Sequence, residues 1–303
     1  MTQDVAVIGM GRMGAAMARR LAEVGWNVTV HNRTADKAAA VADEIGGKVA
    51  ATAREAAEAA PVVVSSLADD AAVDAVYRGP DGLIAGAGNA TIVLETSTID
   101  PRTVHDIAPE VERAGGVLLD TPVSGSVPAV QAGSLMIMVG GKAEALVRAR
   151  PVLDALGSRI FLVGDAGAGA TMKLAVNAIV HALNMALSEA LVLAERAGID
   201  RERAYEVFLN SAAAAPYLQY KQAAFERPGE GPIAFSVELM AKDFALILAL
   251  AEQVGSAMPQ AGFNLQITRA AMEAGLGGAD MSAIAEHLRT NPAQPTGQTG
   301  RQS

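Results

Sequence analysis

Four short stretches of this chain carry residue types that could bind anions or hold polar groups. Gly9-Met10-Gly11-Arg12-Met13-Gly14 has the pattern G-x-G-x-x-G, directly after the apolar run Val5-Ala6-Val7-Ile8. In that context Gly9 allows a tight turn, Gly11 lets a pyrophosphate approach the backbone, and Gly14 lets a helix pack closely on a strand. Asn32-Arg33-Thr34 follows a second apolar strand signal, where an acidic residue would bind a ribose 2′-hydroxyl and repel a 2′-phosphate. No carboxylate stands there; Arg33 can pair with a phosphate, and Asn32 and Thr34 can donate hydrogen bonds to it. Ser124-Gly125-Ser126 offers hydroxyls and close backbone N–H groups, a suitable nest for a small carboxylate, although alone it reads as a structural turn. Lys173 and Asn177 are four residues apart, so a helix puts both on one face. Their neighbours Met172, Leu174, Ala175 and Val176 are apolar, an unusual setting for a lysine. A lysine that snorkels its ammonium into water fits this spacing equally well.

The elements that would position these residues fall into two halves. Strand signals at residues 5–8, 27–31, 61–66, 90–95, 117–120, 134–139 and 160–163 alternate with helical stretches, the first spanning 11–24 and the second beginning after Thr34 as its N-cap. Several strands are continuous Val/Ile/Leu runs, as buried parallel strands are. The expected fold class is α/β: an N-terminal doubly wound Rossmann domain at residues 1–164, with helices on both faces. From residue 166 the pattern is helical, beginning with one long helix at 166–197 that joins the halves. Further helices are expected at 201–210, 236–254, 259–274 and 281–288. They make an all-α substrate and dimerisation domain at 165–290, followed by a polar Pro/Gly-rich tail at 291–303 expected to be disordered.

Composition narrows the function. The 303 residues carry a formal net charge of −9, which argues against a general nucleic-acid binder. Apolar residues are 51% but aromatics only 4%, so small and aliphatic side chains must fill the core. There are no cysteines, which rules out disulfides, thiolate catalysis and Cys-based metal sites. The N-terminus lacks the features of a signal peptide, and the longest clean apolar run, residues 244–251, is far short of a spanning helix. A soluble cytoplasmic protein without membrane partners is expected. His31, His105, His181 and His287 are scattered, Asp69-Asp70 reads as a helix-start acidic cluster, and no metal is expected. His181, two helical turns beyond Lys173, reads as a satisfied or partly buried helix histidine ahead of a catalytic one, and Phe235 and Tyr217 as core packing ahead of pocket lining. Asp243 could orient Lys242 or form an exposed pair with it.

Four stretches, IGMGRMGAAMARRL, DTPVSGSVPAVQAGSL, GAGATMKLAVN and AKDFALILA, occur in an order and spacing that resemble the β-hydroxyacid dehydrogenase family. That family includes 3-hydroxyisobutyrate dehydrogenases, tartronate semialdehyde reductases and glyoxylate/succinic semialdehyde reductases, and the likeness covers residues 3 to about 289. The resemblance implies a C-terminal domain like that of 6-phosphogluconate dehydrogenase and an NAD(P)-dependent oxidoreductase of small β-hydroxyacids and their semialdehydes. It makes Lys173 the catalytic lysine and Asn177 the residue that helps hold substrate and lysine. Ser124, Gly125 and Ser126 match the substrate loop, and Leu67, Ala68, Thr98 and Lys242 match cofactor-contacting positions. The glycine motif, Gly9 through Gly14, and Asn32, Arg33 and Thr34 complete the cofactor set. Two departures stand out: Ser126 where the family loop usually has glycine, and Ala68 where it has proline. The expected cofactor is NADP(H), with NAD(H) possible if Arg33 merely stacks on adenine. The expected partners are a carboxylate-bearing aldehyde or hydroxyacid and further copies of the chain, as a homodimer or homotetramer. Imine reduction and a non-catalytic NADPH-binding module are the competing readings.

Overall fold

The computed structural model describes residues 3–88 and 90–291, and the tail expected to be disordered lies outside them apart from Asn291. The chain forms two compact units that divide between Ala175 and Val176.

The first unit begins β1 (Asp4–Ile8), α1 (Arg12–Glu23), β2 (Asn27–His31), α2 (Ala35–Ile45), β3 (Lys48–Val49), α3 (Ala53–Ala59) and β4 (Val62–Ser65). It continues α4 (Asp70–Tyr77), α5 (Leu83–Gly86), β5 (Ile92–Glu95), α6 (Pro101–Arg113), β6 (Val117–Asp120), β7 (Val123–Ser124) and α7 (Val127–Gln131). The elements β8 (Leu135–Gly140), α8 (Ala143–Leu156) and β9 (Gly157–Gly164) follow. One sheet runs in the order β3-β2-β1-β4-β5-β6-β8-β7, with β9 also paired to β8. The strand order reverses direction after β1, which leaves the ends of β1 and β4 at the crevice where open α/β sheets bind ligands.

The unbroken apolar runs have a direct cause: both faces of the sheet are covered. Val5 and Val7 of β1 enter one core cluster with Val62, Val64, Ile92 and Leu94. Ala6 and Ile8 enter the opposite cluster with Val63, Val93 and Leu118. Alternate side chains point to opposite faces, so a strand with two covered faces needs apolar residues at every position.

The sheet is not parallel throughout. β8 pairs antiparallel with β6 and β7, while β9 is parallel to β8. Only residues 125–134, which include the short α7, separate β7 from β8, and so short a link reverses a chain; a parallel return needs about a dozen or more residues.

α9 (Ala168–Arg196) is the long helix, and it crosses the division between the units. The rest of the second unit holds α10 (Arg201–Leu209), α11 (Pro216–Glu226), α12 (Val237–Val254), α13 (Pro259–Ala271) and α14 (Ile284–Thr290). A π-helical turn at Met272–Leu276 and a 3-10 turn at Met281–Ala283 replace helix ends that the sequence pattern leaves continuous. α11 is an addition to the expected set. Its inward face includes Lys221, whose Nζ lies 2.7 Å from both carboxylate oxygens of Asp280. A buried lysine breaks the apolar periodicity by which a helix is read.

By length and composition α9 could cross a membrane, although it contains no unbroken apolar run of that length. Its buried residues Asn177, His181, Asn184 and Ser188 lie at spacings of three and four. A buried polar stripe of this kind belongs to a helix packed in a protein core. The apolar stretches 190–194 and 244–251 are candidates to meet a second subunit, but part of each is buried within the chain: Leu191, Val192, Phe244, Ile247 and Ala251 are buried, whereas Leu193 is exposed.

Candidate functional site

The glycine turn joins β1 to α1. Gly9 has φ +95°, and a Cβ there would lie 2.2 Å from the Ser66 carbonyl oxygen at the end of β4. At Gly14 a Cβ would lie 1.9 Å from the Gly9 carbonyl oxygen, so the helix can approach the turn only without a side chain. Gly11 differs: it is exposed, it caps α1, and a Cβ would meet nothing within 4 Å. The first turn of α1 holds no acidic residue, and its leading N–H groups offer a place for an anion. The open face at Gly11 and the closed faces at Gly9 and Gly14 fit a dinucleotide pyrophosphate.

Asn32 stabilises this turn from β2. Its Oδ1 accepts from Met10 N at 2.9 Å, and its Nδ2 donates to the Thr34 carbonyl at 3.0 Å. Arg33 and Thr34 are exposed beside it. Thr34 is the N-cap of α2 by position, but its hydroxyl makes no capping hydrogen bond. Leu67 approaches the turn from the other side, with its Cδ2 3.1 Å from the position of a Gly9 Cβ. Leu67 N donates to Ser97 Oγ at 2.7 Å, which ties the loop after β4 to the loop after β5 that carries Thr98. Arg12 and Ala68 are exposed, Met13 and Thr98 are half-buried, and Met10 is buried.

Sequence reading missed the residue beneath these loops. Glu95, at the end of β5, accepts from Tyr77 Oη at 2.7 Å and from Ser97 N at 2.8 Å. Burial pushes its carboxyl above the usual carboxylate range. The available signal was a lone acid ending an apolar strand.

Ser124 lies in β7, and Gly125 follows at φ +135°, with no room for a Cβ beside Leu135 Cδ2 (2.8 Å) and Ala129 Cβ (2.9 Å). Ser126 is the N-cap of α7 by position, and its side chain makes no cap hydrogen bond. Asp120, just before this loop, has a structural role that spacing did not reveal. Its carboxylate oxygens accept from Gly167 N at 2.8 Å and from Ala170 N at 2.7 Å. Those bonds fix the start of α9 to the end of β6. Burial raises the Asp120 carboxyl, against the lowering effect of the backbone donors. Gly169 allows the close seating: a Cβ there would lie 2.6 Å from Asp120 O and 2.7 Å from Met138 O. Lys173 is half-buried on the next turn of the helix thus anchored.

In the second unit Asn177 Nδ2 donates to Asp243 Oδ2 at 2.6 Å. Lys242 Nζ lies 3.6 Å from Asp243 Oδ1, so the KD pair is an ion pair, and its acid is buried. Tyr217 is buried and donates to Asn184 Oδ1 at 2.6 Å; burial pushes its phenol well above the usual tyrosine value. Phe235 is half-buried, and its N–H, with that of Ala234, points at Asp280 Oδ2. Burial alone would raise Asp280, but the Lys221 ammonium together with the Ser282 and Phe235 backbone donors outweighs it and lowers that carboxyl from its ordinary value. Asp69 caps α4 through Ala72 N, and Asp70 accepts from Asp100 N and Thr103 Oγ1.

The fold and the glycine turn have the form of a dinucleotide-binding protein. The family model described as the NAD binding domain of 6-phosphogluconate dehydrogenase matches residues 4–164. The model described as the NAD-binding domain of NADP-dependent 3-hydroxyisobutyrate dehydrogenase matches residues 167–288. Among curated relatives, a 3-hydroxyisobutyrate dehydrogenase of Pseudomonas aeruginosa is 36% identical over 94% of this chain and 98% of its own length. The chloroplastic glyoxylate/succinic semialdehyde reductase 2 of Arabidopsis thaliana is 31% identical over 95% of this chain and 80% of its own. A solved 3-hydroxyisobutyrate dehydrogenase of Mycobacterium tuberculosis, in a structure with L-serine, superposes at TM-score 0.83 with 30% identity, covering 95% of this chain and all of that one. The chain belongs to the β-hydroxyacid dehydrogenase family and is an NAD(P)-dependent oxidoreductase.

Proposed function

We propose that this protein reduces a small carboxylate-bearing aldehyde with NADPH, with glyoxylate or succinic semialdehyde preferred, and catalyses the reverse oxidation of the hydroxyacid. Oxidation of 3-hydroxyisobutyrate is the next activity in rank. The observation that carries the reading is the placement of Lys173: half-buried, one turn into a helix whose start Asp120 fixes to the sheet. A bound nicotinamide supplies or accepts the hydride. The Lys173 ammonium stabilises the negative charge that develops on the carbonyl oxygen and donates the proton; in oxidation the neutral amine takes the alcohol proton. Asn177 helps hold substrate and lysine. Ser124, Gly125 and Ser126 receive the substrate carboxylate through hydroxyl and backbone N–H groups.

The cofactor residues in this reading are Gly9, Met10, Gly11, Arg12, Met13, Gly14, Asn32, Arg33, Thr34, Leu67, Ala68, Thr98 and Lys242. The preference for NADPH rests on Arg33, exposed at the end of β2 with no carboxylate in Asn32-Arg33-Thr34. We also place the protein in the cytoplasm as a homodimer or homotetramer, with exposed Leu193, Ile179 and Phe263 of the second unit as surface apolar groups for subunit contact. Light scattering after size exclusion measures that state, and a monomer would overturn it.

The functional test is initial-rate oxidation of NADPH, with NADH in parallel, against glyoxylate, succinic semialdehyde, methylmalonate semialdehyde and tartronate semialdehyde. Turnover strongly favouring NADPH is expected. Comparable Michaelis constants for both nucleotides would sink the preference. Turnover of cyclic imines without turnover of aldehyde acids would make the protein an imine reductase. Tight NADPH binding without turnover across the whole panel would make it a binding module.

A further inference from the structure

His181 stands four residues after Asn177 on α9, on the same face, and is 2% exposed. Its Nε2 lies 3.3 Å from Asp243 Oδ2, the oxygen that also accepts from Asn177 Nδ2. Phe235 and Phe244 pack against the imidazole, with ring centroids at 5.5 Å and 5.3 Å. Its Nδ1 is buried without a hydrogen-bond partner. Packing alone would favour an apolar residue in a slot between two phenylalanines, because an unmet buried ring nitrogen is destabilising. The imidazole therefore earns its place through Nε2, and contact with an acceptor requires a proton on Nε2. Asp243, 1% exposed, is acceptor-only as a carboxylate. It can face only the amide N–H end of Asn177, which leaves the Asn177 carboxamide oxygen for a donor elsewhere.

We propose that His181 is a positioning residue for the reaction: its Nε2–H steadies Asp243 Oδ2, and through that oxygen fixes the orientation of the Asn177 amide. The inference rests on the reading above, in which Asn177 helps hold substrate and lysine. It explains why a polar ring packs against two phenylalanines and why two side chains of α9 converge on one carboxylate oxygen of α12. His181 itself touches neither substrate nor cofactor. Phe235, whose backbone N–H donates to Asp280 Oδ2, packs its ring against the imidazole.

The test is a double-mutant cycle on the full-length protein, using His181→Phe, Asn177→Ala, their combination, and His181→Gln as a variant that can still donate a hydrogen bond. The substrate is the aldehyde acid that the wild type reduces best. His181→Phe is expected to lower kcat/KM about tenfold, with KM for NADPH unchanged, the scale of one lost buried hydrogen bond. In the Asn177→Ala background the same change is expected to have less than about a twofold effect, because the two residues act in series. His181→Gln should recover to within about threefold of wild type. Wild-type kcat/KM in His181→Phe, an undiminished effect in the Asn177→Ala background, or no recovery in His181→Gln would each overturn the proposal. A second readout needs no turnover. The side-chain amide pair that disappears from the nitrogen-resolved spectrum in Asn177→Ala reports on Asn177. Its hydrogen exchange should be slow in wild type and faster in His181→Phe; equal rates would overturn the positioning role. If the wild type reduces no aldehyde acid, the functional reading fails, while the exchange measurement still decides what His181 does.

Discussion

The glycine turn of the first unit and the polar stripe of α9 in the second both hold polar groups in a fixed arrangement, by opposite means. In the turn, the backbone itself sets the arrangement, and side chains are excluded at two positions: a Cβ at Gly9 or Gly14 would strike a carbonyl oxygen. In the stripe, buried side chains hold one another. Asn177 and His181 share Asp243, Asn184 bridges Tyr217 and the Met281 carbonyl, and Ser188 donates to Asn184 O. The first arrangement is compressed into six consecutive residues. The second depends on partners up to 97 residues apart. Backbone recognition is therefore readable as a local motif, whereas a side-chain network takes shape only when distant segments pack.

The largest effect tests the residue at the end of the first unit. Lys173→Ala should lower kcat by about 10²–10⁴-fold, the usual contribution of a positioned acid–base group, while NADPH titration shows unchanged binding. Near-normal turnover would remove Lys173 from the mechanism. Next comes a contrast within the glycine turn. Gly14→Ala should destabilise the protein by about 1–3 kcal/mol through overpacking and abolish tight NADPH binding. Gly11→Ala, with open space at its Cβ, should keep the wild-type melting temperature and lose cofactor affinity alone. Equal melting temperatures for the two variants would break the distinction between closed and open glycines.

The polar stripe supplies the third test. Asn184→Leu would leave the Tyr217 hydroxyl and the Met281 carbonyl buried without this partner, a loss of about 1–3 kcal/mol measurable by urea denaturation. A stability change within experimental error would show that the stripe does not hold the second unit together.

The smallest effect is a pH slope. Burial raises the carboxyl of Glu95 in the folded protein above its ordinary value near 4.5. The folded state then binds more protons than the unfolded state as pH climbs through and above that value, so this group's contribution to stability falls with rising pH. Glu95→Gln should flatten the decline in unfolding free energy between pH 4.5 and neutrality, measured by urea titration, and parallel slopes for the two proteins would refute it.

The strands of the first unit were legible because both faces of the sheet are covered, which writes each strand as an unbroken apolar run. The glycine turn was legible because strand, turn and helix are contiguous. The antiparallel entry of β8 was not, since an apolar run looks the same in either direction. α11 escaped because Lys221 sits on its inward face, neutralised by an acid 59 residues away. His181 reads as a satisfied or partly buried helix histidine; it is fully buried with Nδ1 unmet, and its contact with Asp243 spans 62 residues and has no local signature.

The sequence by itself determined the class of fold, the glycine turn between β1 and α1 and the motifs that mark the family, because each is written in neighbouring residues whose geometry is set by local backbone and by burial. Only the tertiary structure decided how those residues are held: Asp120 fixing the start of α9, Glu95 beneath the loops after β4 and β5, and Asp243 gathering Asn177 and His181. A buried carboxylate needs donors on its oxygens, and those donors come from whichever segments the packed core brings to it.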